Sequence, residues 1–399
     1  MKVLHVIPSL SAVHGGPSRA LPLMERALAA KGVTVETATT NDEGPRLHHG
    51  KPCGLPLFEN GVFRHYFHKQ LDFYKVSLGI ASWLRRHAKD YDLLHIHALF
   101  SFSSIAAAWT ARRLGVPYII RPLGTLTHYG RTQRRPWLKR LSIRWIEGPL
   151  LRDAAAVHFT SLDEQREAEA CGVPMRGVLI PLGIEAPAIT DDTLVRSRFA
   201  GLQDANYLLY LSRLDPKKNV EGLLRAFAQC SAQWPNTQLL MAGNGSRDYV
   251  GNLMALSDAL GLGHRVVWAG HIDGDLKASA LAGAQLFVLP SFSENFGIAA
   301  AEALMAGLPC LLGQGVAIAG DVVKAGAGVA VAPTPDAIAM GLRQLLAADA
   351  SEYARMSANA AALARDKFSI DAMGRNLVAL YESIAADQPH ASRAEKVLF

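Results

Sequence analysis

Short continuous apolar runs alternate with helical periodicity along this sequence, and no other feature limits its folding as strongly. The first half carries the runs Val3–Pro8, Val33–Thr39, Val62–Phe67, Leu93–His97, Tyr118–Arg121, Ala156–Thr160 and Val178–Pro181. Amphipathic stretches such as Ser18–Ala30 and Ser104–Leu114 lie between them, with Ser18 a candidate N-cap and Lys31-Gly32 a stop signal. Strands that are apolar throughout need cover on both faces, and a parallel sheet flanked by helices supplies it. The pattern then starts again with Tyr207–Ser212, Gln238–Ala242, Arg265–Ala269, Leu286–Pro290, Pro309–Leu312 and Gly328–Val331. The expected fold class is therefore α/β, with two doubly wound parallel-sheet domains, 1–185 and 186–386. The last helix is a candidate to pack back on the first of them. The break falls near Gly183–Gly201, where Pro, Asp, Thr and Arg replace the apolar periodicity. Such sheets bind ligands at the carboxyl ends of their strands, so the expected site is a central cleft that the two domains face.

A chain of 399 residues can bury two cores of this kind. No run approaches the ~18 apolar residues of a membrane span. Met1–Pro8 reads as a buried first strand rather than a signal peptide. Cys53, Cys171, Cys230 and Cys310 form no Cys-x-x-Cys pair, which fits reduced thiols in a cytoplasmic protein. Charge is uneven: residues 1–190 carry 24 Lys and Arg against 15 Asp and Glu, whereas 191–399 carry 17 against 20. A basic first half suits a polyanionic or membrane-surface partner, and plain solubility explains it equally well.

Three stretches carry chemistry. Val13-His14-Gly15-Gly16-Pro17-Ser18 joins the first strand to a helix. Its glycines admit a ligand close to the backbone, and a helix N-terminus favours phosphate, although a tight strand–helix turn alone would use the same residues. The spacing is not the Gly-x-Gly-x-x-Gly of dinucleotide folds. The second stretch is Leu211-Ser212-Arg213-Leu214-Asp215-Pro216-Lys217-Lys218-Asn219. Arg213 and Lys218 could clamp a diphosphate, or form a solvated basic turn. The third, Ser291–Glu302, is the most specific. It offers Glu294 in a loop, free N–H groups near Phe296, Gly297 and Ile298, and Glu302 about two turns into a helix that starts near Phe296-Gly297.

Arg213 and Lys218, followed about eighty residues on by Glu294-Asn295-Phe296-Gly297 and then Glu302, resemble family 4 of the retaining glycosyltransferases. The resemblance spans nearly the whole chain. It implies the GT-B architecture of two Rossmann-like domains, and a nucleotide-diphosphate sugar as co-substrate. It also implies a glycan or lipid-linked acceptor and a hexosyl transfer that needs neither metal nor cofactor. By this resemblance Arg213 and Lys218 hold the donor diphosphate, Glu294 contacts the transferred sugar, and Glu302 binds the ribose. The backbone at Asn295, Phe296, Gly297 and Ile298 meets sugar and phosphate. Gly15 and Gly16 close over the diphosphate, and Gly243 and Gly245 lie near the nucleotide. Retaining enzymes of this architecture let the departing phosphate oxygen take the acceptor proton, so positioning and charge stabilisation do most of the work.

This sequence departs from the family pattern at Leu123, where many members have His, and His97 or His128 is the candidate substitute for the sugar contact. Asn295 stands where many members have Gly. Ile120–Gly124 and Gly313-Gln314-Gly315-Val316 resemble members that act in exopolysaccharide assembly. Asp273-Gly274-Asp275 reads as a helix start rather than a metal site. Residues 130–152 interleave Arg131, Arg134, Arg135, Lys139, Arg140, Arg144 and Arg152 with Trp137, Leu138, Leu141, Ile143, Trp145 and Ile146. Such a basic amphipathic segment suits an anionic membrane surface at the inner face, or packs its apolar side on the core. No nucleic-acid reader motif accompanies it. The rival readings are a nucleotide-sugar epimerase of the same fold and a non-catalytic sugar-nucleotide-binding subunit. Acceptor choice is assigned to the loops Asn41–Asn60 and Thr125–Pro136.

Overall fold

A computed structural model describes residues 1–14, 16–132, 136–188 and 191–387, leaving out the side chains of Ala12, Pro17, His128 and Tyr129. The contacts divide the chain into two units, Met1–Gly183 with the segment from Ile370 on, and Ile184–Ser369.

The first unit holds β1 (Lys2–Ser9), β2 (Thr34–Thr40), β3 (Pro56–Glu59), β4 (Val62–Phe67), β5 (Leu93–His97), β6 (Tyr118–Arg121), β7 (Ala156–Phe159) and β8 (Gly177–Leu179). They form one sheet in the order β3-β4-β2-β1-β5-β6-β7-β8. All neighbours pair in parallel except β3, which runs antiparallel to β4. Each apolar run of the first half forms a strand, with ends shifted by two residues at most. Pro56–Glu59 is not among those runs. It is a half-exposed edge strand, so it lacks the continuous apolar signal of a covered one.

The helix Ile370–Ala386 belongs to this unit: it lies within the limits 186–386 read for the second domain, and it packs on the first, the placement for which it was the candidate. Met373, Leu377, Tyr381 and Ile384 recur every three or four residues, and they share a core with Leu21, Met24 and Leu28 of the helix Gly16–Ala29. Lys31 pairs with Asp371, and the N–H of Gly183 donates to the Met373 sulfur. The helix Gly16–Ala29 starts two residues before the expected cap. Ser18 therefore lies inside it, and its hydroxyl donates to the Ser11 carbonyl at 2.7 Å.

The second unit is an all-parallel sheet of β9 (Asn206–Leu211), β10 (Thr237–Ala242), β11 (Val266–Gly270), β12 (Leu286–Leu289), β13 (Cys310–Gly313) and β14 (Gly328–Val331). Its order is β11-β10-β9-β12-β13-β14. In both sheets the chain starts near the middle, builds one way, then crosses and builds the other. The reversal lies between β1 and β5 in the first and between β9 and β12 in the second. At such a switch point adjacent loops diverge and leave a crevice at the carboxyl ends of the strands. Among the described residues no helix is long and apolar enough to cross a membrane.

Candidate functional site

In the second unit the switch point carries the basic and the acidic stretch side by side. After β9, the Asp215 carboxylate accepts from the Lys217 N–H at 2.9 Å and shapes the turn Pro216–Lys218. Asn219 follows in the left-handed region, with φ of 56°. Its amide donates to the carbonyls of Pro290 (3.2 Å) and Pro333 (3.0 Å). The Phe292 N–H donates to the Lys217 carbonyl at 3.0 Å, so the loops after β9 and β12 are stitched through the backbone. Lys218, 7% exposed, then forms an ion pair with Glu294. Arg213 is exposed, and no ion pair engages it among the described residues.

Two glycine pairs set these loops. A Cβ on Gly243 would stand 1.8 Å from the Ser212 carbonyl, and one on Gly245 2.4 Å from that of Leu214. Across the switch point, a Cβ on Gly313 would stand 2.3 Å from the Ser291 carbonyl, and one on Gly315 2.0 Å from that of Phe292. Each Gly-x-Gly thus lets a neighbouring strand extension lie against a ligand-side loop. The bonds Leu214 N–H to Asn244 O (2.8 Å) and Glu294 N–H to Gly315 O (2.9 Å) run along these approaches. Close backbone packing is therefore the first role of Gly243 and Gly245.

Gly297 precedes the helix Ile298–Met305 with φ of 92°, a conformation that favours glycine. Phe296 is buried edge-on against Phe368 at 5.6 Å, and Gly297 after it is buried too, while Asn295 and Ile298 on either side of the pair are exposed. Because the helix begins at Ile298, Glu302 lies little more than one turn inside it rather than two. Its carboxylate accepts from Lys277 at 2.8 Å, a partner that its own helix Gly274–Ala282 brings and no motif announced. Asp273 precedes that helix but makes no side-chain cap bond, and faces His271 at 3.6 Å instead.

In the first unit, Gly16 opens the helix after β1, and Gly15 lies outside the described residues. Beside that loop is a cluster the sequence reading missed. The buried Asp42, just after β2, meets Lys69 (2.6 Å), Lys75 (2.5 Å) and His14 (2.7 Å). Burial alone would raise the Asp42 carboxyl, but hydrogen bonds from these three hold it well below the usual range. The residues are spread over sixty positions, so no local spacing reveals them. At the carboxyl ends of β5 and β6, the non-glycine residues Ala98, Phe100 and Leu123 have φ of 75°, 55° and 59°. Strain of this kind clusters where a fold presents backbone to a ligand. Leu123 is held by its neighbour: Glu164 accepts from the Gly124 N–H at 2.6 Å and from Thr160 at 2.9 Å.

His97, a candidate for the sugar contact, is not exposed to one. It is fully buried, because β5 is central and its side chain points into the covered face. It bonds His5 at 2.9 Å and stacks on His95, which in turn bonds the Tyr381 hydroxyl at 2.7 Å. His158 completes the group, accepting or donating at 3.4 Å to His95. Burial and the nearby Arg121 cation push His5 and His158 down to about 3, so the rings are neutral. Ring nitrogens of His5, His95 and His97 lie within 4.8 Å of one another, a set with the spacing to share a cation among the described residues. The buried Arg121 beside them, itself lowered to about 10 by burial, makes a dication costly there, and the network is read as hydrogen-bonded imidazoles. The side chain of His128 lies outside the described set.

Residues 130–152 are not one helix. They form the end of a short helix His128–Thr132, a helix Pro136–Ser142, a π-turn Ile143–Glu147 and a helix Gly148–Asp153, while Arg134 and Arg135 lie outside the described residues. The π-turn closes through the Gly148 N–H to Ile143 carbonyl bond, and a Cβ on Gly148 would stand 2.3 Å from that carbonyl. Both apolar fates occur. Ile143 packs on the core, whereas Trp137, Leu141 and Trp145 form an exposed stripe at four-residue spacing, each tryptophan 66% exposed. Glu147, buried beneath, accepts from the Phe100 N–H at 2.9 Å, and burial raises its carboxyl to about 7.

Residues 196–363 match the model of the glycosyl transferases group 1, and residues 15–183 match the glycosyl transferase 4-like domain. Curated relatives are similar over shorter stretches. An uncharacterised glycosyltransferase of Methanocaldococcus jannaschii is 32% identical over 46% of this chain and 47% of its own. The alpha-monoglucosyldiacylglycerol synthase of Streptococcus pneumoniae is 29% identical over 56% and 52%. The alpha-D-kanosaminyltransferase of Streptomyces kanamyceticus is 28% identical over 72% and 77%. The chain thus spans about half the length of the first two. Among solved structures, sucrose-phosphate synthase of Thermosynechococcus elongatus has a TM-score of 0.73 at 21% identity, covering 97% of this chain and all of that one. Anabaena HepE in complex with UDP and glucose has 0.72 at 19%, covering 96% and all of that chain.

Proposed function

The chain belongs to the family 4 type of glycosyltransferases with GT-B architecture, and on that premise we propose that it moves a sugar from a nucleoside-diphosphate donor to a glycan or lipid-linked acceptor with retention of configuration. The observation that carries this reading is the pairing of Lys218 with Glu294 at the switch point of the second sheet, on loops of which the first also bears the exposed Arg213. As the donor bond breaks, charge grows on the departing diphosphate. Arg213 opposes it with a planar fork and Lys218 with a compact charge. The ion pair with Glu294 holds the lysine stem before the donor arrives, so less rotamer freedom is lost on binding.

Glu294 contacts the sugar hydroxyls and Glu302 the ribose, while the N–H groups around Phe296, Gly297 and Ile298 face the phosphate. Asn295 lies among them. The phosphate oxygen that leaves takes the acceptor proton, while Arg213 and Lys218, in place of a metal, oppose the charge left on the diphosphate. HepE was solved with UDP and glucose, which supports a nucleoside-diphosphate sugar as donor. The exposed tryptophan stripe and its arginines support contact with an anionic membrane at its inner face, and the setting we favour is polysaccharide assembly.

The test is thermal stabilisation by UDP, GDP and ADP in EDTA, for wild type, Arg213→Ala and Glu302→Ala. A ligand that binds only the folded chain raises its melting point. One nucleotide should do so, with the shift lost in both variants. A flat response of the wild type to all three sinks the reading. With the donor so identified, the anomeric configuration of the product by NMR decides retention.

A further inference from the structure

Residues next in sequence to the tryptophan stripe, Pro136, Arg140 and Arg144, line a cavity of about 540 Å³ whose wall is unusually one-sided in charge. Arg131, Lys139, Arg140, Arg144 and Arg152 line it, with no carboxylate among the lining residues. Among the described residues none of the four arginines makes an ion pair. The Nε of Arg131 is buried and has no hydrogen-bond partner among the described residues. Four guanidinium groups with no ion pair among the described residues stand around one recess and repel one another, and a bound polyanion would relieve that repulsion. The floor is shaped for close approach. Gly148 and Pro149 line it at the π-turn, where a side chain on residue 148 would not fit.

We propose that this cavity is a subsite for the diphosphate head of a lipid-linked acceptor. Arginine forks match phosphate oxygens in pairs, and the volume falls in the range of about 300–1,000 Å³ that holds a small ligand. The lipid source follows from the stripe. Arg140–Leu141 are consecutive on the helix Pro136–Ser142, about 100° apart around it, and Arg144–Trp145 are consecutive in the π-turn, so each of these cavity-lining cations adjoins an exposed apolar side chain. The Arg144 guanidinium rests 5.3 Å from the Trp145 ring centre, joining the two surfaces. Tryptophan with arginine is the pairing that lies at a membrane–water boundary, with the ring in the interface and the cation at the phosphates. A soluble phosphate ester would have no use for the stripe.

The proposal rests on the transferase reading for the word acceptor, and its test is independent of catalysis. Full-length protein is sedimented with phosphatidylcholine vesicles carrying either a polyprenyl diphosphate or phosphatidylglycerol at equal surface charge. Wild type should favour the diphosphate vesicles at least tenfold, and inorganic pyrophosphate should displace it from them. Arg140→Gln with Arg152→Gln should bring binding down to the phosphatidylglycerol level. Trp137→Ser with Trp145→Ser should weaken binding to both vesicles and leave pyrophosphate binding intact. Equal binding to the two vesicles, meaning attraction by charge alone, overturns the proposal. So does a Gln pair that binds like wild type. If the Gln pair melts early, pyrophosphate displacement of the wild type decides: no displacement overturns the proposal. The nucleotide-induced thermal shift, read in the same samples, reports on the transferase reading separately.

Discussion

Lys218 is nearly enclosed, and its ammonium already has a carboxylate partner in Glu294. Truncating it should therefore affect diphosphate binding more than nucleoside binding. A charge-assisted hydrogen bond is worth about 1.5–3 kcal/mol, or roughly ten- to a hundredfold in affinity. We expect Lys218→Ala to weaken the nucleoside diphosphate by that factor and leave the nucleoside nearly unchanged, as titration calorimetry with both would read. Equal loss for both would place the lysine away from the phosphates. Glu147 makes a different prediction. Burial raises its carboxyl to about 7 in the folded chain, against an ordinary value of 4.5 when exposed. Between those values the folded chain holds more protons than the unfolded one, so stability falls as pH rises through the window. Glu147→Gln removes this cost, and should stabilise the chain by up to about 3 kcal/mol at pH 8 and little at pH 4.5. Denaturant melts at both values check it, and a gain of equal size at both pH values would refute it.

At the scale of elements, the two Gly-x-Gly pairs act as hinges pressed shut: Gly243 and Gly245 on one side of the switch point, Gly313 and Gly315 on the other. Gly243→Ala or Gly315→Ala forces a methyl onto a backbone carbonyl, which no flexible side chain can absorb. Overpacking of this kind costs typically 1–3 kcal/mol. Here the displaced carbonyls belong to the loops that carry Arg213 and Glu294, so nucleotide affinity should fall together with stability. Gly251 is the control. It lies in the helix Arg247–Ala259 with open space around its Cα, and Ala there should be neutral or gain about 0.5–1 kcal/mol. Urea titration with and without nucleotide distinguishes the cases. Unchanged nucleotide binding in Gly243→Ala would mean that the loops tolerate the shift.

Over the whole molecule, ionisable burial is concentrated in the first unit, where His5, His95, His97 and His158 are neutral and enclosed. Their folded pKa values lie below the unfolded 6.5, so the unfolded chain binds more protons as pH drops, and stability is lost below about 6.5. Each such histidine contributes up to about 1.4 kcal/mol per pH unit. Calorimetry from pH 7.5 to 5.0 should show the first unit melting earlier as acid is added, while the second holds. A first-unit transition that does not move would mean that the histidines protonate in place. The same contrast separates what could be read along the chain from what could not. The α/β class was legible because continuous aliphatic runs and helical periods are local, and each strand tolerates an error of a residue or two. Arg213–Lys218 and Glu294–Gly297 were legible for the same reason, since a loop of fixed spacing follows its own strand. Pro56–Glu59 was not, because an exposed edge strand needs no apolar run. The pairing of Lys218 with Glu294, 76 residues apart, and of Lys277 with Glu302 depends on strand order. The enclosure of His97 depends on what covers β5, and the charge-lined recess beside Trp145 on a π-turn that bends the segment. These are long-range consequences of burial and register, and only the tertiary structure decides them, because a local pattern records which residues prefer to be buried and not which neighbours they meet there.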